Sequence, residues 1–156
     1  METTRQSLED ARGSVLALRA GIPGEWPLAE ALGVLGRAFT AETGVRVQVR
    51  TPPGTGFLPL PIEAELYRIA QEALANIRAH AAARVVTITL RTGVRTATLS
   101  ISDDGCGFDP HAIGAGHHGL VGMRERAAFI GGRLRVASQT GRGTRVTVVT
   151  PHGHAP

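Results

Sequence analysis

The sequence predicts an α+β fold, a two-layer α/β sandwich whose mixed, mostly antiparallel sheet is covered by helices on one face. Two observations carry this expectation. Strand-like segments fall in adjacent pairs, 85–90 with 97–102 and 133–137 with 144–150, with helical periodicity before and between the pairs. Within each pair the connection is too short for the crossover helix that a doubly wound parallel sheet needs. The chain has 156 residues, 42% of them hydrophobic, enough for one core and too few for two.

Each element has its own local signal. Leu8, Ala11, Val15 and Leu18 recur at spacings of three and four, predicting a helix over 1–20 that Gly21-Ile22-Pro23-Gly24 ends. A second helix starts at Pro27, a favoured first-turn residue, and runs to Thr43-Gly44 with Leu28, Ala31, Leu32, Leu35 and Phe39 on one face. Val45, Val47 and Val49 alternate with Arg46, Gln48 and Arg50 as a half-buried strand, and the proline-rich stretch 51–61 reads as a loop. The longest helical pattern extends from Pro61 to about Ala82, with Ile62, Leu66, Ile69, Ala73 and Ile77 among its buried residues. After the first strand pair, 103–119 is glycine-rich and irregular, as functional loops often are. Leu120 to Ile130 returns to helix, Gly131-Gly132 caps it, and a hairpin around Thr140-Gly141-Arg142-Gly143 closes the chain. Three segments are therefore expected: 1–20, the compact domain 21–151, and a frayed tail at 152–156.

Composition removes several classes of function. A single cysteine excludes an internal disulfide and any cysteine-built zinc site. The net charge of +4 comes from arginine alone, and along the chain the arginines are scattered rather than clustered, so direct nucleic-acid binding is not expected. No apolar run approaches the ~20 residues of a membrane span, and Arg5, Glu9, Asp10, Arg12 and Arg19 interrupt any secretory signal. The expectation is a cytoplasmic segment without membrane contact of its own.

Three groups of residues could carry chemistry. Glu72 and Asn76 lie four apart on the long helix and share one face. A carboxylate and an amide oxygen placed so can hold a hydrated Mg²⁺, although a solvated helix face displays the same residues. Asp103-Asp104-Gly105-Cys106-Gly107 follows a strand directly. A carboxylate at a strand end can accept a hydrogen bond from an exocyclic amine such as that of adenine, and the glycines let a flat base approach; an ordinary acidic turn reads the same way. Gly114, Gly116, Gly119 and Gly122 lead into a helix whose first amides could bind phosphate. The absence of lysine rules out a P-loop, and no Gly-x-Gly-x-x-Gly follows an early strand. His111, His117 and His118 lack metal-ligand spacing and read as surface histidines.

Taken in order, Glu72-x-x-x-Asn76, Asp103-x-Gly105-x-Gly107, Gly119-Leu120-x-Gly122-Met123 and Gly141-x-Gly143-Thr144 resemble the N, G1 and G2 boxes and the closing glycine-threonine turn of the gyrase, heat-shock chaperone and histidine kinase ATPase superfamily. Leu66-Tyr67-Arg68-Ile69-Ala70-Gln71-Glu72-Ala73-Leu74 and Gly122-Met123-Arg124-Glu125-Arg126-Ala127 resemble, more narrowly, the sensor histidine kinases paired with helix-turn-helix response regulators. The resemblance implies a catalytic domain that binds ATP and Mg²⁺ and passes the γ-phosphate to a histidine outside this chain, on a dimerisation and phosphoacceptor domain, for relay to a response regulator. It implies that Asn76 ligates Mg²⁺ and that Glu72 is the base or polarising carboxylate. Asp103 would bond the adenine amino group, with Thr144 supporting it through water and Gly105 and Gly107 making room. Residues 109–118 would form a lid, Gly119 and Leu120 would cap the phosphates, and His80 and Gly122 would complete the nucleotide set.

The sequence departs from the family pattern in three places. Ala79 stands where a Lys or Arg is usual, with Arg78 about 100° away around the helix. His117-His118-Gly119 replaces the Gly-x-Gly that usually opens the G2 box. Leu8 to Arg19 looks like the end of a second dimerisation helix, with no phosphoacceptor motif before it. Two alternatives share the fold: an anti-sigma-factor serine kinase-like module, and a degenerate nucleotide-binding regulatory module.

Overall fold

The computed structural model describes residues 27–52, 58–111 and 118–153. The helix expected over 1–20, residues 112–117 of the expected lid and residues 154–156 of the expected tail lie outside the described residues.

In chain order the elements are α1 (Leu28–Thr43), β1 (Arg46–Arg50), α2 (Leu60–Asn76) continued by a π-helical turn (Ile77–Ala81), β2 (Val85–Thr92), β3 (Thr96–Asp103), α3 (His118–Phe129), β4 (Arg133–Ser138) and β5 (Thr144–Pro151). The five strands form one sheet in the order β1-β2-β3-β5-β4. β1 runs parallel to β2, joined through α2 as a crossover, and the remaining pairs are antiparallel. The predicted α+β sandwich with a mixed, mostly antiparallel sheet is the fold observed.

The period of two along each strand separates the faces of this sheet. Val86, Ile88 and Leu90 of β2, Leu99 and Ile101 of β3 and Val148 of β5 point inward and are essentially inaccessible to solvent. They meet Leu32 of α1, Leu66 and Ile69 of α2 and Met123 of α3, all equally buried. Truncating one of these leucines to alanine is expected to cost about 2–5 kcal/mol, because the packed core collapses only partly around the void. α2 touches both other helices, with α1 also against β1 and α3 also against β4. The first half of α2 is tied to α3 by an ion pair between Glu65 and Arg126 at 3.1 Å.

Helix ends follow their sequence signals. Gly44 takes a φ of 78° at the end of α1, and its amide bonds to the Thr40 carbonyl at 2.8 Å, the left-handed closure that glycine makes without steric cost. Pro27 and Pro59 precede α1 and α2 and provide no side-chain cap. Glu63, buried near the start of α2, instead accepts hydrogen bonds from the amides of Leu28 and Leu58. A carboxylate at the first turn of α1 suits the positive end of its dipole, so one side chain fastens the starts of two helices.

The structure corrects the sequence reading at the end of α2. The pattern predicts continuous α-helix to Ala82, but the last five residues widen into a π turn, and Ala82 closes it in the left-handed region at φ 48°. The apolar spacing alone does not register this, because Ile77 and Ala81 stay buried in either geometry. His152, placed by sequence in the frayed tail, is instead fixed to the β2–β3 turn. Its amide donates to the Arg95 carbonyl at 2.8 Å and its Nε2 lies 2.7 Å from the Gly93 carbonyl oxygen.

Candidate nucleotide site

The π turn, the end of β3 and the start of β5 enclose a cavity of about 280 Å³. Ala73, Ile77, Ala81, Ile101, Leu120 and Val146 give it a largely apolar lining, and Asn76, His80, Asp103 and Thr144 are the polar side chains that reach it, with Gly107 and Phe108 at its edge. A small apolar chamber with a few convergent polar groups suits a flat heteroaromatic ligand.

Asp103 stands there because of strand parity. It continues the inward series Ala97, Leu99 and Ile101 and is therefore a carboxylate on the core side of the sheet, only 8% exposed. The Gly105 amide donates to its Oδ1 at 2.8 Å, and the Thr144 amide bonds to the same carboxylate from the paired strand. Burial raises its pKa above the ordinary 3.8; these two amides oppose the shift, and neighbouring Asp104 adds to it. Asp104 points the other way and is exposed. Its Oδ1 accepts from the amides of Val85 at 3.0 Å and Arg84 at 2.8 Å, which hold its carboxyl below the ordinary range. Two adjacent aspartates thus differ in burial and in partners by one step of the pleat.

Thr144 faces Asp103 in the β3–β5 register. The Thr144 amide reaches the Asp103 carboxylate directly. The Thr144 hydroxyl is engaged by Ser138, whose Oγ lies 2.7 Å away. Ser138 Oγ also accepts the Phe108 amide at 2.9 Å and reaches the Gly143 carbonyl at 3.2 Å. Ser138 therefore sets two cavity-lining residues at once, and sequence reasoning missed it. Its only sequence signal is a hydroxyl residue across the hairpin from Thr144, a cross-strand pair.

The glycines divide by role. A Cβ on Gly105 would run into the Ala81 carbonyl, so this residue is glycine to let the loop pack on the π turn; it does not line the cavity. The Cys106 amide holds the same Ala81 carbonyl at 2.7 Å, and the exposed Cys106 thiol donates to the His80 carbonyl at 3.2 Å. Gly107, at φ 61°, does line the cavity, and a Cβ there would strike the carbonyls of Gln139 and Gly143.

Glu72 and Gly119 lie beside the cavity rather than in its lining. A Cβ built on Gly119 would stand 2.6 Å from Glu72 Oε1 and 3.1 Å from Asn76 Oδ1, so the first turn of α3 rests against both predicted residues of α2. Gly122 is one turn further along α3, away from the cavity, with nothing described within 4 Å of its Cβ position. Arg78, considered as a substitute for the missing basic residue, is paired with Glu42 of α1. Of the ten predicted site residues, Asn76, His80, Asp103, Gly107, Leu120 and Thr144 line one cavity, Glu72 and Gly119 adjoin it, and Gly105 and Gly122 serve packing or stand apart.

Residues 62–154 match the histidine kinase-, DNA gyrase B- and HSP90-like ATPase family, and the chain belongs to that family. It is the catalytic ATPase domain of the kind that sensor histidine kinases carry. At 31% identity over 94% of its length it is similar to the signal transduction histidine-protein kinase/phosphatase DegS of Brevibacillus brevis. At 31% identity over 92% of its length it is similar to the oxygen sensor histidine kinase NreB of Staphylococcus carnosus. The chain spans 38% and 42% of those two proteins. Among solved structures, the histidine kinase domain of the Erythrobacter litoralis EL346 blue-light activated histidine kinase superimposes with a TM-score of 0.66 at 25% identity, over 82% of this chain and 62% of that one.

Proposed function

We propose that this domain binds Mg²⁺–ATP and transfers the γ-phosphate to a histidine on a dimerisation and phosphoacceptor domain outside this chain, for relay to a response regulator. The observation that carries the reading is that Asp103 and Asn76, far apart in sequence, open on one apolar cavity. The Asp103 carboxylate accepts the hydrogen bond of the adenine amino group, while Ile77, Ile101 and Val146 sandwich the ring. Phe108 and Leu120 keep water from its edges.

The phosphates run from this chamber along α2 toward its start. Asn76 and Glu72 are four residues, about 6 Å, apart along the helix, so the first adjoins the base and the second the γ-phosphate end. Backbone amides of the first turn of α3 at Gly119 and Leu120 point their dipole at the intervening anion. Among the described residues no three His, Cys, Asp or Glu side chains gather as a metal cage. One amide oxygen with a nearby carboxylate instead fits a magnesium ion that arrives with phosphate and keeps most of its water. Bound there, Mg²⁺ supplies neutralisation of the phosphate charge. Glu72 then serves as the base or polarising carboxylate for the attacking imidazole, and the remaining catalysis is positioning. No described helix is long and apolar enough to cross a membrane; a cytoplasmic setting, where ATP is supplied, fits the proposed reaction.

Titration of the chain with ATP, with and without Mg²⁺, tests the reading. Binding that needs Mg²⁺ for full affinity and weakens in Asp103→Asn and Asn76→Ala is expected, as is phosphorylation of a supplied dimerisation helix pair. No detectable binding at millimolar ATP overturns the proposal.

A further inference from the structure

The sheet face turned away from the helices is as distinctive as the site. Strand parity and register place Arg46 and Arg50 of β1, Arg91 of β2, Arg133 and Arg135 of β4 and Arg145 of β5 all on this outer face, and all six are exposed. The only carboxylate in the five strands is Asp103, which points inward. The helical layer, by contrast, holds six carboxylates and five arginines. Charge that looks scattered along the chain is thus segregated by the fold. Both ion pairs among the described residues, Arg78–Glu42 and Arg126–Glu65, belong to the helical side, and none of the six sheet arginines has a described carboxylate partner.

Between the arginines lies a hydroxyl floor. Thr87, Thr89, Thr98, Ser100 and Ser102 are half-buried and, with Arg50, Arg91 and Arg145, line an open depression of about 540 Å³. One register row reads Arg50, Thr89, Ser100, Thr147, Arg135, with an arginine at each end and hydroxyls between. Four strand spacings separate its ends by about 19 Å, wide enough to seat an α-helix of ~10–12 Å diameter between two guanidinium groups.

We propose that this face docks an acidic helix of a partner protein, its carboxylates paired with the rim arginines and its short polar side chains resting on the serine and threonine floor. Arginine forks match carboxylates two bonds at a time, and unpaired like charges gathered on one face gain most from an anionic partner. The face bears no Phe, Tyr or Trp on which a nucleobase could stack, and a concave floor would leave a flat bilayer without contact at its centre. The proposal is independent of the nucleotide site, which opens on the opposite side of the sheet.

The test uses the full chain and, as probe, a helical peptide with glutamates repeated at intervals of three and four. Binding that falls with added salt, shifts the amide signals of β2, β3 and β5, and weakens about tenfold in Arg50→Glu/Arg135→Glu is expected, with ATP affinity unchanged. The neutral pair Arg50→Gln/Arg135→Gln should lie between. Equal peptide affinity in wild type and both variants, or no binding at low salt, overturns the proposal. So does tighter arginine-dependent binding of duplex DNA or phosphatidylserine vesicles than of the peptide, which would assign the face to those partners instead.

Discussion

Gly119 lies so close to Glu72 that a side-chain carbon on it would stand 2.6 Å from the carboxylate oxygen. Three residues on, Gly122 has open space at the same point. The two glycines of one motif therefore answer to different physics. Gly119→Ala should displace the end of the Glu72 side chain and crowd the Asn76 amide, lowering ATP affinity about tenfold with little change in melting temperature. Gly122→Ala should stabilise α3 by up to about 1 kcal/mol through helix propensity and leave ATP affinity unchanged. Calorimetry on both variants checks this; loss of nucleotide binding in Gly122→Ala would contradict the assignment.

Asp103 separates stability from function. Its pKa is raised in the folded protein, chiefly by burial, so the native state holds the proton more tightly than the unfolded chain. Its contribution to stability therefore declines as pH rises from the ordinary 3.8 through the raised value. Asp103→Asn keeps an oxygen for the amides of Gly105 and Thr144 but presents a donor to the cavity. The variant should unfold at neutral pH no more readily than wild type, yet bind ATP far more weakly. Wild-type affinity should likewise drop as pH falls through the carboxyl's titration. Unfolding curves and ATP titrations from pH 4 to 8 would show whether the two effects part in this way, and equal ATP affinity in the variant would exclude the adenine contact.

Ser138 touches the cavity only through its neighbours. Ser138→Ala removes the acceptor of the Phe108 amide and the partner of the Thr144 hydroxyl, at an expected cost of about 1–3 kcal/mol. A positioning role predicts weaker ATP binding that Ser138→Thr restores, since the threonine keeps the oxygen. Full affinity in the alanine variant would reduce Ser138 to a structural hydrogen bond.

Glu63 provides a test away from the site. Burial raises its pKa above the ordinary 4.5, with the Leu58 and Leu28 amides opposing the shift. The charged form is thus the disfavoured one in the fold, and its contribution to stability declines as pH rises through that titration. Glu63→Gln, which keeps an acceptor, should cost little in denaturant unfolding at neutral pH. Glu63→Ala strands the amides at the starts of two helices and should cost about 1–3 kcal/mol. Equal losses in both would point to side-chain volume instead.

Much of the fold is legible along the chain. The stripe of Leu66, Ile69 and Ala73, the alternation of Val86, Ile88 and Leu90, and the glycines at 44, 131 and 141 are each short-range patterns that fix an element or its end. The motif order is equally legible, since Glu72-x-x-x-Asn76, Asp103-x-Gly105-x-Gly107 and Gly119-Leu120-x-Gly122 are local spacings, and it points to the ATPase family that the chain belongs to. The π turn at 77–81 is not legible, because it changes backbone spacing without changing which residues are apolar. Ser138 was hidden because its importance lies in where β4 meets β5, a contact across the hairpin.

The amino-acid order by itself determined the elements other than the π turn, the covered face of the sheet and the family, since these depend on residues within a few turns or steps of one another. Tertiary structure alone decided which side chains share the cavity, why Gly119 and Gly122 differ, and that arginines dispersed from 46 to 145 gather on one face. Those facts depend on strand register and helix docking, which bring together groups as much as a hundred residues apart.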